Sequence, residues 1–478
     1  MRAAPATAPS PAAPRAETAG ASRHSSLGSA LLLLGCVALA GEAAIQAVYT
    51  PEVLSRLTVL AAVALTGLLL GGARCRPPVW AIVLSALIGV RALAVAPPLD
   101  NVIAGGRLLT GVLVVAAVSA VPALLPLLRV LHTEQVAAVA LAAVAAGYGL
   151  VVISGIPVID VWALLQGAGQ GLADGRNPYE MAFPASPPGQ TDHCFTYLPA
   201  TALLTAPGVW LGDARWAELV LLISAAAVLV WHLHRRGGAR MGLAVLVVVL
   251  PGTIYLVQQS WTETLLLPAL VATAVLADRG RAGWAAVAFG VALATKQHAM
   301  LLVPLLLLLC RFRLRDLGLA AGTGAALTVP WLLANPARFF TCTADFFLSA
   351  EPPRTSLSLW LHLPEPVRLP LLALALLGGY LLAARYCPRN GSGFLIGAAV
   401  VLLLFGLVNK QTFLNQWWLV AALVTAGLAL GGRTPTAPVP ATGSESAPVL
   451  RPEEEPPDPR AATARPCRPK ALNRERGI

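Results

Sequence analysis

The chain has 478 residues, 57% of them hydrophobic and only 12% charged, with a mean hydropathy of +0.71. A water-soluble protein of that length, about three domains at roughly 150 residues each, needs more polar surface, so lipid must be the main solvent. The net charge of +11 sits in short clusters between apolar runs with no aromatic-interleaved basic face, which argues against nucleic acid.

Residues 1–28 are rich in Ala, Pro and Ser and read as a disordered cytoplasmic N-terminus. The apolar run at 29–49 is too long for a signal-peptide core and lacks a small-residue cleavage site, so it reads as a retained first span. Runs at 53–72, 79–96, 108–128 and 135–154 complete an N-terminal transmembrane block over 29–154. Glu42 and Arg91 are its deepest charges. A pair between them suits structural stapling or a transport path, of which stapling is the commoner.

A second region, 155–431, opens with a polar loop at 155–195 and continues through runs near 196–211, 215–234, 240–257, 263–277, 283–297, 299–310, 316–334, 369–385, 393–408 and 415–431. A second long loop occupies 335–368. Arginines cluster at 74 and 76, at 129, at 235, 236 and 240, at 279 and 281, at 311, 313 and 315, and at 385 and 389. With these on the cytoplasmic side, nearly all the runs alternate and both long loops fall outside. The run at 196–211, which holds Pro199 and Pro207, breaks the alternation: it is either a re-entrant or interfacial segment or a true span that violates the charge rule. The fold expected is an all-α, polytopic bundle of a dozen or more transmembrane helices in the cell membrane, with interfacial helices in its outer loops. The final stretch, 432–478, is Pro-rich, then acidic, then basic, and reads as a disordered cytoplasmic tail whose basic end is attracted to anionic membrane lipid.

The outer loop carries Val161, Leu164, Leu165, Ala168 and Leu172 at helical spacing, which predicts a short amphipathic helix lying in the interface with its apolar side toward lipid. That helix starts at Asp160. An aspartate just ahead of a helix is a preferred N-cap. A carboxylate at a membrane interface is equally placed to take a proton from an acceptor hydroxyl as general base, and the two roles can coexist. After the turn at Asp174-Gly175, Arg176 offers a planar donor fork for phosphate and Tyr179 an aromatic face for a sugar or prenyl chain, unless both are loop punctuation.

Of 34 basic residues only Lys296, Lys410 and Lys470 are lysine. Lys296 and Lys410 fall at predicted outer ends of spans. Each is either a point charge for a phosphate or a snorkelling side chain; His298 next to Lys296 tilts that site toward function, and snorkelling suits Lys410 better. The outer turn Gln258-Gln259-Ser260-Trp261-Thr262-Glu263 places two amides and a carboxylate where an apolar hairpin is expected, able to hydrogen-bond a sugar or to sit as wet loop residues. The loop at 335–368 can serve as a lid over a lateral groove. The seven cysteines lack CxxC or Cys/His spacing, against a thiolate metal site. Cys194 and Cys342 share the outer side, where an oxidising compartment permits a bridge.

The order of these features resembles the GT-C glycosyltransferases, most closely the bacterial polyprenol-phosphate-dependent mannosyltransferase-like proteins of the DUF2029 type. The matching residues are Asp160, Gly175-Arg176-Asn177-Pro178-Tyr179, Phe195-Thr196-Tyr197-Leu198-Pro199, Gln258-Gln259-Ser260 and Ala292-Leu293-Ala294-Thr295-Lys296, within residues 150–330. The family's Tyr-Pro-Pro has its second proline displaced, Gln258 stands for its outer-turn glycine, and extra spans precede the Asp-bearing loop. The resemblance implies a catalytic base at Asp160, an inverting transfer from a polyprenyl-phosphate sugar such as mannose to an envelope glycolipid or glycan, and donor-phosphate contacts from Lys296, with His298 as a second outer-face residue. It implies no cofactor, metal or nucleotide, because the lipid-linked sugar is itself a substrate. The rival readings are a transporter or flippase of lipid-linked substrates and a non-enzymatic subunit of an envelope-assembly complex.

Overall fold

The computed structural model describes residues 16–46, 49–95, 106–154, 157–183 and 194–431. The expectations for 1–15, for 155–156 and 184–193 of the first outer loop and for the C-terminal tail lie outside the described residues. Within them every regular element is helical.

Helices α1 (Ala16–Ile45) and α2 (Pro51–Leu69) form an antiparallel hairpin. The Thr50 hydroxyl accepts from the Val53 amide at 3.3 Å, and Pro51 needs no intrahelical donor there, so the α2 terminus is closed by sequence-local means. A Cβ on Gly67 would lie 2.3 Å from the Leu32 nitrogen; glycine is what lets the two backbones touch. The first helix starts at Ala16 rather than near residue 29, with His24–Ile45 as its apolar part. Glu42 pairs with Arg56 of α2 at 3.0 Å, not with Arg91, which is exposed. The expected Glu42–Arg91 pair is thus not formed, and Glu42 links α1 to α2 instead.

Next come α3 (Val79–Val95), α4 (Gly106–Val118), α5 (Val121–Leu124) and α6 (Val130–Ser154), then α7 (Asp160–Ala173) and α8 (Pro199–Trp210) packed on each other. The chain continues through α9 (Arg215–His232), α10 (Gly238–Leu246), α11 (Thr253–Gln259), α12 (Glu263–Asp278), α13 (Ala282–Thr295), α14 (Val303–Leu308) and α15 (Leu314–Ala334). It ends with α16 (Pro336–Phe340), α17 (Phe346–Ser349), α18 (Glu365–Tyr386), α19 (Gly391–Val408) and α20 (Leu414–Leu430). Among the described residues eight helices are long and apolar enough to cross a membrane, or nine if α11 and α12, bent by 119°, count as one broken span.

That is fewer than a dozen. The expected run at 240–257 is two short helices, α10 and α11, separated by a turn with Gly252 at φ +89°. The run at 196–211 is the 12-residue α8, about 18 Å long against a hydrocarbon core of about 30 Å. Helix α13 has 14 residues and stops where Lys296 turns extended at φ −150°. Apolar composition alone does not distinguish a run that crosses lipid from one that fills the protein.

Helices α19 and α20 lie at the centre. The hydropathic window of α19 is 83% buried, against 11% for α15 and for α18, which form the periphery. At one end the arginine clusters meet. Arg74 donates to the Arg385 carbonyl at 3.2 Å, Arg279 to His232 Nδ1 at 3.2 Å, and Asp278 accepts from the Gly391 amide at 2.6 Å. Glu134 accepts from the Arg235 amide at 2.7 Å and pairs with His234 at 2.6 Å. The grouping read from the positive-inside pattern is thus a grouping in space.

A second, smaller core joins α7, α8 and α16 with Tyr179, Phe183, Phe195 and Phe339. The predicted stripe of Val161, Leu164, Leu165 and Ala168 is the buried side of α7, as its spacing required. It faces this protein core rather than lipid, because α8 and the aromatic residues cover it. Cys194 and Cys342 form a disulfide within the same core, with Cα atoms 5.6 Å apart, in the range such a bond requires.

Candidate functional site

Asp160 is the first residue of α7; Ile159 occupies the cap position with extended backbone, φ −111° and ψ 161°. The capping role expected of Asp160 thus falls one residue earlier, on a side chain that cannot accept. The Asp160 carboxylate is half-buried. Burial holds its pKa above the usual carboxylate value, against the opposing pull of its own and the Val161 backbone amides. Among the described residues it has no ion-pair partner. The phenol of Tyr197, held well above its ordinary pKa by burial, also feels the negative charge of Asp160, Glu263 and Glu218. Tyr197 thus stands within the field of carboxylates carried by α7, α9 and α12.

The break between α11 and α12 supplies two of the other groups. Ser260 takes φ +63°, a left-handed conformation unusual outside glycine, and this turns the chain so that Glu263 begins α12 facing inward. The turn expected to hydrogen-bond a sugar or to sit as wet loop residues is enclosed: Gln258, Gln259, Ser260, Thr262 and Glu263 are all buried. Gln259 Oε1 accepts from the Val158 amide at 2.8 Å and so ties the approach to α7. Glu263 pairs with Lys296, which also donates to Thr262 Oγ1 at 3.0 Å. With Glu263 beside it, Lys296 brings a hydrogen-bond donor and little net charge. The second Glu263 oxygen, Oε2, and both polar side-chain atoms of Gln258 are buried without a partner among the described residues.

Sequence reasoning passed over Glu218, Asp213 and Arg215. Glu218 is fully buried in α9 and accepts from the Ser260 hydroxyl and from Thr264 Oγ1 at 3.3 Å. Its signal was available: an acid inside an otherwise apolar run is costly in a membrane. Asp213 holds Arg215 by a fork, Nη2 to Oδ2 at 2.6 Å and Nε to Oδ1 at 2.9 Å. The same guanidinium donates to the Val152 carbonyl at 2.7 Å and to the Gln258 carbonyl at 3.3 Å. Trp162 of α7 donates to Asp213 at 3.1 Å. This clamp locks α6, α7, α9 and α11 at one level, and it fixes the end of α8 beside the start of α7.

Other predicted residues sit elsewhere. Tyr179 is 1% exposed; its hydroxyl donates to the Tyr197 carbonyl at 2.7 Å and its ring packs on Phe195 and Phe339. It offers no open face to a sugar, and its task is to fix Tyr197. Arg176 lies past the opposite end of α7 from Asp160, a separation of about 20 Å along 14 residues. That exceeds the distance between a donor phosphate and the sugar carbon under attack, so the two cannot share one reaction centre. Lys410 donates to the carbonyls of Leu348 at 3.1 Å and Phe347 at 3.4 Å. The second outer loop is also tied by Leu357 to the Thr412 carbonyl and by Leu359 to the Leu407 carbonyl, each at 2.7 Å. A loop anchored this way is a fixed cover, not a swinging lid. His298 stands edge-on to Phe405 with ring centres 5.5 Å apart, next to the Lys296 pair.

Fold and composition together define a multi-pass membrane protein, all-helical over the described residues, with a cluster of ionisable groups at the end away from its arginine clusters. In comparison with known proteins, the chain matches no family model, no curated protein and no solved structure.

Proposed function

We propose that the protein is an integral membrane glycosyltransferase that moves a sugar, mannose or a similar hexose, from a polyprenyl-phosphate donor to an envelope glycolipid or glycan. The observation that carries this reading is the Asp160 carboxylate. It is half-open, without an ion-pair partner among the described residues, and held above its ordinary pKa, which suits a base that must accept a proton in the transition state. In the proposed step the acceptor oxygen attacks the anomeric carbon. The bond from that carbon to the phosphate oxygen breaks, the prenyl phosphate leaves with the electron pair, and the acceptor's proton passes to Asp160. Lys296 and Thr262 provide donors for the departing phosphate, and fixed donors in a dry site need no reorganisation as charge develops there. Arg176, Tyr179 and Lys410 have no part in this step.

The second reading, transport or flipping of a lipid-linked substrate, is favoured by one observation. The 119° break between α11 and α12 places buried ionisable groups at a helix interruption, an arrangement found at transporter sites. Assay of Asp160→Asn in reconstituted vesicles separates the two. The enzyme reading expects loss of glycolipid product with unchanged expression, and full product formation by the variant would discard it. Substrate crossing the bilayer without product would favour the transporter.

A further inference from the structure

A hollow of about 260 Å³ opens between the turn after α7 and the last turn of α15, lined by Leu172, Arg176, Asn177, Pro330 and Trp331 among others. It is smaller than the roughly 300–1,000 Å³ of a site that encloses a whole small molecule, so it fits a headgroup whose remainder lies outside. Its construction is local. Gly175 at φ +71° and the Arg176 amide donating to the Gly171 carbonyl at 2.8 Å close α7 with the left-handed cap that glycine permits. That cap projects Arg176 and Asn177 beyond the helix toward α15.

We propose that this hollow binds the phosphate of an anionic phospholipid in the leaflet on the Asp160 side. Three observations converge. First, no carboxylate lines the hollow, and the charged and amide side chains in its otherwise largely apolar lining are Arg176 and Asn177. Arg176 spends one donor on Asp174 at 2.7 Å in a half-exposed pair, a type worth at most about 1 kcal/mol, and its remaining N–H groups have no partner among the described residues. Second, the Asn177 side-chain nitrogen is buried with no acceptor among the described residues, while its oxygen accepts from the Tyr179 amide at 3.1 Å, so an unspent amide donor stands beside the hollow. Third, one wall belongs to α15, only 11% buried along its apolar window, with Leu333 and Val329 exposed. An acyl chain can run down that helix from a phosphate held at Arg176, and Trp331 stands where an indole suits the boundary between headgroup and chain. The site is independent of the glycosyltransferase reading, since about 20 Å separates it from Asp160 along α7.

The test is native mass spectrometry of the full chain in detergent, titrated with phosphatidylglycerol, with phosphatidylcholine of the same chains as the neutral-headgroup arm and inorganic phosphate as competitor. The wild-type chain should retain phosphatidylglycerol in preference to phosphatidylcholine. Arg176→Gln should weaken that retention about tenfold, the loss expected for a charge-assisted hydrogen bond, and Asn177→Ala should weaken it less. Arg354→Gln, an equal charge loss on the second outer loop, should leave it unchanged. Equal retention of both lipids, equal effects of the two arginine variants, or displacement of the lipid by millimolar inorganic phosphate would each overturn the proposal.

Discussion

Lys296 and Glu263 form an ion pair between the end of α13 and the first residue of α12, with 8% and 0% of their surfaces exposed. Two charges taken out of water in this way are stable together and costly apart. Lys296→Ala or Glu263→Ala alone should therefore destabilise the protein by about 3–5 kcal/mol, read as a fall in the detergent melting temperature. Replacing both with Met and Leu should recover much of that loss. If activity stays absent in the recovered double variant, the pair serves the reaction and not only the fold.

Asp160 gives a pH prediction with a definite sign. The base works only when ionised, and burial raises its pKa above the usual carboxylate value. Activity should rise with pH, on an acid limb that lies above the one an exposed aspartate gives. The stability effect runs the other way. A folded pKa above the unfolded one means that ionisation opposes folding, so this residue's contribution falls as pH rises between the two values. At neutral pH Asp160→Asn should be inactive yet melt no lower than the wild type, and a marked drop in melting temperature would mean that the carboxylate is structural.

The disulfide predicts a labelling pattern. Cys36, Cys75, Cys310 and Cys387 are free thiols among the described residues, whereas Cys194 and Cys342 are bonded. Alkylation with a bulky maleimide after unfolding should add two more labels when reductant is present than when it is not. The bond closes a loop of 148 residues, and paired serine replacements should lower stability by about 2–5 kcal/mol. Equal labelling in both conditions would mean that the thiols are unbonded in the cell.

Tyr179 tests the packing role. Tyr179→Phe loses one hydrogen bond to the Tyr197 carbonyl and should cost about 1 kcal/mol. Tyr179→Ala also empties the centre of the second core and should cost about 3–5 kcal/mol, as large aromatic truncations do. Near-normal activity in the Phe variant is expected, because the ring touches Phe195 and Phe339 and no open cleft. A Phe variant that folds well but loses substrate affinity would return Tyr179 to the binding site.

The sequence by itself determined the helical class, the lipid solvent, the gathering of the arginine clusters at one end and the buried stripe of α7. Those follow from composition and from period, which neighbouring residues carry among themselves. It also placed Asp160 at a helix start and Lys296 at a helix end. Only the tertiary structure decided how many apolar runs are long helices, because a run that packs against protein and one that faces lipid have the same composition. It alone gave Glu42 to Arg56, Glu263 to Lys296 and Glu218 to Ser260, since those partners lie 14, 33 and 42 residues apart and no local pattern links them. It removed Arg176 from the reaction centre for the same reason: fourteen helical residues are rigid, and rigidity turns a short sequence interval into a distance too long for one substrate bond.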